Sequence, residues 1–204
     1  MKIRKSLLFI AFVSLALGSS STISTIALAE DYKIDKAHSQ AGFAVKHLMI
    51  SNVNGRFTDF DGLITYDPKD ITKSAVKVTI KTASITTDNA QRDNDLHSSE
   101  FLDVAKFPEM TFQSAKVEKR GDQYVLIGDL TLKGVTKRVE IPFTFSGPIT
   151  DPWGNTRIAA EGSTTINRRD FGVTYNRAMQ DGRAVVGDQV KISLNVEGVK
   201  PKAK

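Results

Sequence analysis

The 204-residue chain has no cysteine, three histidines, one tryptophan and six prolines. Without cysteine there is no disulfide framework, no thiol chemistry, no lipidated N-terminal cysteine and no cysteine-based zinc site, so stability must come from buried apolar surface. A zinc or copper centre needs three or four converging ligands, and His38, His47 and His97 show neither a His-x-His nor a His-Glu-x-x-His spacing. Phosphate-cradling glycine loops, dinucleotide fingerprints and a Gly-x-Ser-x-Gly elbow are all missing. Asp35, His38 and Ser39 have the residue types of a hydrolytic triad, but they lie within five positions and do not offer base and acid from suitable directions. Asp59/Asp61 and Asp93/Asp95 are carboxylate pairs of the glycosidase type. One tryptophan is a poor sugar platform, however, and alternating acids on a strand or helix face are ordinarily solvated. The residues point away from an enzyme and away from a metal or cofactor.

Charge is also thin. The chain carries +5 formally, but Lys2, Arg4 and Lys5 precede an apolar run from Leu7 to Gly18, a Ser/Thr stretch and Ala27-Leu28-Ala29. That is the three-part pattern of a secretory signal with a small-residue cleavage site, and the run is shorter than the ~20 residues of a membrane span. The expectation is a cleaved signal peptide over 1–29 and a periplasmic location, with secretion as the alternative. The leader holds no acidic residue, so the chain from Glu30 onward carries only +2. That charge, without a clustered basic face, is no footprint for nucleic acid. No later apolar run is long enough for stable membrane insertion, and residues 30–204 read as one domain ending in a Lys-rich tail, Lys200, Lys202 and Lys204.

What the chain does have is alternation. Val190, Ile192, Leu194 and Val196 alternate with Lys191, Ser193, Asn195 and Glu197, so one face is apolar and the other wet. Val139, Ile141, Phe143 and Phe145 repeat the pattern, as do Val76, Val78 and Ile80, and Leu130 with Leu132. Less regular candidates are 39–47, 53–66, 110–119 and 155–166. Turn signals at Asp67-Pro68, Gly121-Asp122, Lys133-Gly134 and Gly147-Pro148 separate about eight strands. Such a chain forms an antiparallel sandwich or barrel, and eight-strand closure would hide both edges. Periodicity alone does not separate the two. One insert, about 88–102, interrupts the strands. Asp88 can cap a helix, Ser98 a second turn, and Pro108 closes the segment. Its Leu96, Phe101, Leu102 and Phe107 could cover one end of a barrel or pack outside the sheet.

Several segments, in order, resemble the YceI-like family of secreted lipid-binding proteins. They are Asp31-Tyr32-Lys33-Ile34-Asp35 with His38-Ser39 and Phe43; Gly55 to Gly62; Asp103 to Pro108 before Thr111-Phe112; Gly128 to Thr136; and Asn167 to Gly172. The resemblance covers essentially 31–198. It implies an all-β, eight-stranded, antiparallel, lipocalin-like barrel holding a long isoprenoid, quinone-like or fatty-acyl chain, with no catalytic residue and no metal. The insert corresponds to a helical stretch covering part of the barrel. There the family often has Arg-Asp-x-His-Leu, whereas this chain has Arg92-Asp93-Asn94-Asp95-Leu96, so head-group preference at Asp95 is open.

On this reading the ligand-binding interior is formed by Phe43, Val45, Phe60, Ile64, Val78 and Ile80 from the first half of the chain. Phe112, Leu130, Leu132, Ile141, Phe143, Phe145, Ile192 and Leu194 complete it, with Leu96, Phe101, Trp153 and Phe171 at the mouth. The expected partner is a hydrophobic lipid of isoprenoid type, and homo-oligomerisation is open. One rival is a structural or interaction protein, with a solidly packed barrel and an insert that binds another protein. The other is a lipid-modifying enzyme using His38 or His97. An internal cavity discriminates the carrier from the packed barrel.

Overall fold

The alternating segments pair into one antiparallel sheet. The structure, a computed structural model, describes residues 29–202; the expected signal peptide, Ala29 apart, lies outside the described residues. The strands are β1 (Glu30–Ile34), β2 (Gln40–His47), β3 (Ser51–Phe57), β4 (Phe60–Tyr66), β5 (Ala75–Lys81), β6 (Ile85–Thr86), β7 (Glu109–Arg120), β8 (Gln123–Leu132), β9 (Val135–Thr150), β10 (Thr156–Asn167) and β11 (Val186–Lys200). One helix, α1 (Ala90–His97), lies in the insert. Eight strands close a ring in the order β1-β4-β5-β7-β8-β9-β10-β11, sealed where Lys33 and Ile34 of β1 pair with Val199 and Gly198 of β11. The far half of β11 instead pairs with β2, and β3 and β6 follow from it. Long β11 thus belongs to the barrel wall at one end and to a second ribbon at the other.

Three local expectations need correction. The segment 53–66 is two strands, because the chain turns a corner at Thr58-Asp59. Thr58 N–H donates to Ser84 C=O (3.1 Å) and Asp59 C=O accepts from Lys81 N–H (2.9 Å), which takes both residues out of the ladder. Gly147-Pro148 does not end a strand but lies inside β9. The β10 ladder beside it is bulged between Arg157 and Ala159, and a bulge is where a strand tolerates proline. The helix is capped by Asn89, whose side chain accepts from Arg92 N–H, and not by Asp88. In the tail, Lys200 is still strand and its Nζ meets Glu30 at 2.6 Å.

Two apolar clusters sit at opposite ends. Near the insert, Ile85, Leu102, Met110, Leu130, Leu132 and Phe171 pack together. At the other end Tyr32, Tyr66 and Ile158 form a plug. The Tyr32 and Tyr66 rings meet edge-on at 6.2 Å, and Tyr66 stacks on Phe145 at 5.0 Å. Fully burying one such side chain is worth ~1.5–3 kcal/mol. Burial and the neighbouring Glu30 carboxylate push the Tyr32 phenol up to about 12.

A blind apolar tunnel and its mouth

Between the two clusters the barrel is hollow. The cavity measures about 290 Å³, far beyond the ~10–15 Å³ that admits one water. Its wall comes from the apolar sides of the alternating strands, with Gln40, Thr164 and Arg168 the polar residues among its lining. Phe43, Val45, Val78, Phe112, Phe143 and Ile192 are half-buried although they point inward, because they face this space. A packed interior would leave such residues fully covered.

Two glycines keep the bore open. A Cβ on Gly55 would lie 2.3 Å from the Phe43 ring, and one on Gly128 2.4 Å from the Phe112 ring. Each phenylalanine therefore lies against bare backbone rather than reaching across the barrel. Nothing in the strand periodicity marked these glycines, since a glycine leaves no side chain to count.

The insert forms the rim. Arg92 donates from Nε to Thr87 Oγ1 (2.8 Å) and from Nη2 to Thr87 C=O (3.0 Å). Asp93 accepts from Thr87 N–H (2.8 Å) and Thr86 Oγ1 (3.0 Å). Burial raises the Asp93 carboxyl, but these bonds outweigh it and its pKa lies below the usual value. So Arg92 and Asp93 fasten α1 to Thr86 at the end of β6 and to Thr87 just beyond it, and Leu96 and Phe101 line both the tunnel and a second cavity of about 410 Å³ outside it. This vestibule mixes Lys46, His47, Arg92, Asp95, Glu100 and Arg177 with apolar rings. Asp95 thus belongs to its wall. Arg168, buried at the same end, donates to Gly187, Val173 and Val186 carbonyls, holding the start of β11 to the turn after β10.

Of the expected interior residues, Phe43, Val45, Phe60, Ile64, Val78 and Ile80 line the tunnel. So do Phe112, Leu130, Leu132, Ile141, Phe143, Ile192 and Leu194. Three positions differ. Phe145 follows the same alternation but lies beyond the tunnel, stacked in the plug. Phe171 is at the insert end, yet at 2% exposure it is packed core beneath the rim. Trp153 is not at the mouth; it sits on the β9–β10 hairpin at the plugged end, 77% exposed. Leu102, expected in the insert as a cover for a barrel end, also lines the tunnel, and so does Ile85, which the sequence does not mark because it falls outside the long strands. Val76, Val139, Val190 and Val196 line it too, and their place in the alternation could have found them.

Of the polar groups singled out in the sequence, Asp35, His38 and Ser39 lie at the plugged end, while His47 and Asp95 line the vestibule. His38 Nδ1 lies 2.9 Å from Asp35 Oδ2, but Ser39 Oγ turns away to accept from Glu197 N–H (2.9 Å). No nucleophile–base pair forms there. Asp35, His38 and Glu197 bring ligand-type atoms within 4.8 Å of one another, but Arg157 already occupies the centre. It donates to Asp35 (2.8 Å), to Glu197 and to Asp151 (2.8 Å). Arg157, and His38 after it, hold the Asp35 carboxyl at about 2. Burial opposes ionisation of Asp151, yet Arg157, Asn155 and backbone N–H groups bring it also to about 2.

A family model described as YceI-like domain matches residues 32–198. The chain belongs to the YceI-like family. A UPF0312 protein of Pseudomonas paraeruginosa is 44% identical over 189 residues, spanning 92% of this chain and 96% of that protein. Among solved structures, the YceI protein of Campylobacter jejuni superposes with a TM-score of 0.66 at 33% identity, over 82% of this chain and 96% of that one. A polyisoprenoid binding domain from Saccharophagus degradans shares the fold, with a TM-score of 0.64 at 16% identity over 85% of this chain and 99% of that one. The YceI-like barrel therefore accounts for nearly the whole described chain.

Proposed function

We propose that this protein is a non-catalytic periplasmic carrier that encloses the tail of one isoprenoid-type lipid within its barrel. The observation that carries the reading is the apolar, blind-ended tunnel, in which the inward-facing Phe43 and Phe112 pack against the backbone of Gly55 and Gly128. Removing apolar area from water yields ~25 cal/mol per Å², so a long tail needs little more than a shaped apolar bore. Lost freedom on binding consumes part of this gain. The polyisoprenoid-binding neighbour supports the same class of cargo, and the leader pattern supports export. A packed interaction barrel is disfavoured by the empty bore. The enzyme reading is disfavoured because His38 lies at the plug and His97 does not line the tunnel.

The test is native mass spectrometry of protein purified without detergent from the exported fraction, followed by organic extraction. One bound lipid per chain, extracting as an isoprenoid or quinone, is the expected result. A bare mass that stays unchanged after incubation with such lipids would defeat the proposal.

A further inference from the structure

The turn joining β2 to β3 works against both its backbone and its solvent. Leu48 and Met49 stand at φ 52° and 63°, the left-handed region where hairpin turns favour glycine, asparagine or aspartate. Ile50 N–H closes the turn on His47 C=O at 3.1 Å. Met49 is 46% and Ile50 74% exposed. Three large apolar residues at a hairpin tip do little for the core, and their location supplies the reason. Lys46 and His47 just before the tip, and Val53 after it, line the vestibule of the tunnel. Beside the tip runs a second loop: Leu48 N–H donates to Val185 C=O (2.8 Å), and Val185 N–H donates to Arg177 C=O (3.0 Å). Lys46 and Arg177 are exposed, and neither has a carboxylate partner among the described residues. Arg183 on the same loop is, by contrast, held by Asp181 at 2.6 Å.

We infer that this rim docks on an anionic phospholipid bilayer. Leu48, Met49 and Ile50 enter the acyl boundary, Lys46 and Arg177 meet the phosphates, and the tunnel opens onto the membrane. Arg177 stacks over the Tyr175 ring at 5.9 Å, which leaves its charge free for an anion, and an apolar tip flanked by cations without carboxylate partners is the combination that binds such an interface reversibly. The inference rests on the carrier reading for its purpose: a tail passing from bilayer to tunnel at a seated mouth never crosses water. The exposed Trp153 and Ile149 lie at the plugged end, facing away, and so provide an internal control.

Trp153 is the only tryptophan. The native protein therefore reports the plugged end, and the double variant Trp153→Phe/Ile50→Trp reports the rim. Both are mixed with vesicles of phosphatidylglycerol and phosphatidylethanolamine bearing brominated acyl chains. The expected result is quenching and a blue shift for the double variant, no quenching of native Trp153, and little effect on phosphatidylcholine vesicles. Ile50→Asp and Lys46→Glu should each weaken vesicle binding roughly tenfold. Quenching of native Trp153, or no quenching of the double variant, would overturn the inference. Geranylgeraniol delivered in ethanol without vesicles separates the two proposals. Ile50→Asp should load from ethanol like the native protein but load poorly from vesicles, and equal loading from vesicles would overturn the docking role. Failure of the native protein to load from ethanol would defeat the carrier reading and leave the quenching result standing.

Discussion

Two phenylalanines, truncated identically, should report whether the barrel is hollow. Phe171 is 2% exposed and enclosed by Ile85, Leu102, Met110, Leu130 and Leu132. Removing its ring loses the transfer energy and leaves a void in tight packing, so Phe171→Ala should cost ~3–5 kcal/mol. Phe143 has neighbours on fewer sides: Tyr124 at 5.8 Å between ring centroids, the backbone at Gly162, and the tunnel. A ring already bordering empty space has fewer contacts to lose, and Phe143→Ala should cost about half as much, ~2 kcal/mol. With a urea slope of ~2 kcal/mol per molar, the midpoints should fall by ~2 M and ~1 M respectively. The measurement is urea unfolding of delipidated protein followed by circular dichroism. Readdition of lipid should raise the native midpoint, since a ligand at one hundred times its Kd adds ~2.7 kcal/mol. Equal losses for the two variants would mean that Phe143 is packed as tightly as Phe171, and the hollow-barrel argument would fail.

Three further outcomes are expected. Gly128→Ala would push the Phe112 ring into the bore, cost ~1–3 kcal/mol and lower retained lipid; native mass spectrometry showing unchanged loading would refute the role assigned to that glycine. Arg92→Ala removes two bonds fastening α1, each worth ~1 kcal/mol, so lipid release and amide exchange over residues 90–97 should quicken roughly thirtyfold. The third concerns acid. Asp35 is held at about 2, against an ordinary 3.8, so its contribution of about 2 kcal/mol is present above pH ~4 and fades as pH falls towards 2. Arg157→Met should lower stability at neutral pH and flatten this acid dependence; urea midpoints that keep the native slope between pH 4 and pH 2 would show that the network does not set it.

The strand faces were readable because side chains alternate strictly along a strand. That is why Val78, Leu130, Ile141 and Ile192 could be assigned to the interior without coordinates. Alternation reports a side of the wall, though, and carries no information about depth. Phe145 obeys the same rhythm as Phe143 and still falls in the plug, because Tyr66 occupies the space that a deeper tunnel would need. Trp153 is expected at the mouth, but which end of the barrel its hairpin belongs to depends on strand direction and ring order, neither of which is local. Gly147-Pro148 looked like punctuation, and a bulge in the neighbouring strand absorbed it. The vestibule was illegible for another reason. Its wall joins residues from 43–53, 87–101 and 175–186, which come together only when β11 leaves β1 and takes β2 as its partner.

The aromatic plug also makes the barrel a ruler. Val186 lines the bore near the rim and Val196 near the plug; at ~3.3 Å per residue and a tilt of roughly 40° the depth is roughly 25 Å. Tyr32 is wholly buried and braced by Tyr66, so a tail cannot thread through. Chains shorter than the bore would leave unfilled space at its blind end and bind more weakly. Longer ones would gain little from each added unit, because the surplus would stay at the mouth, in water or in the vestibule. Affinity should therefore climb with tail length and then level off, so that the protein sorts its cargo by length more sharply than by chemical class.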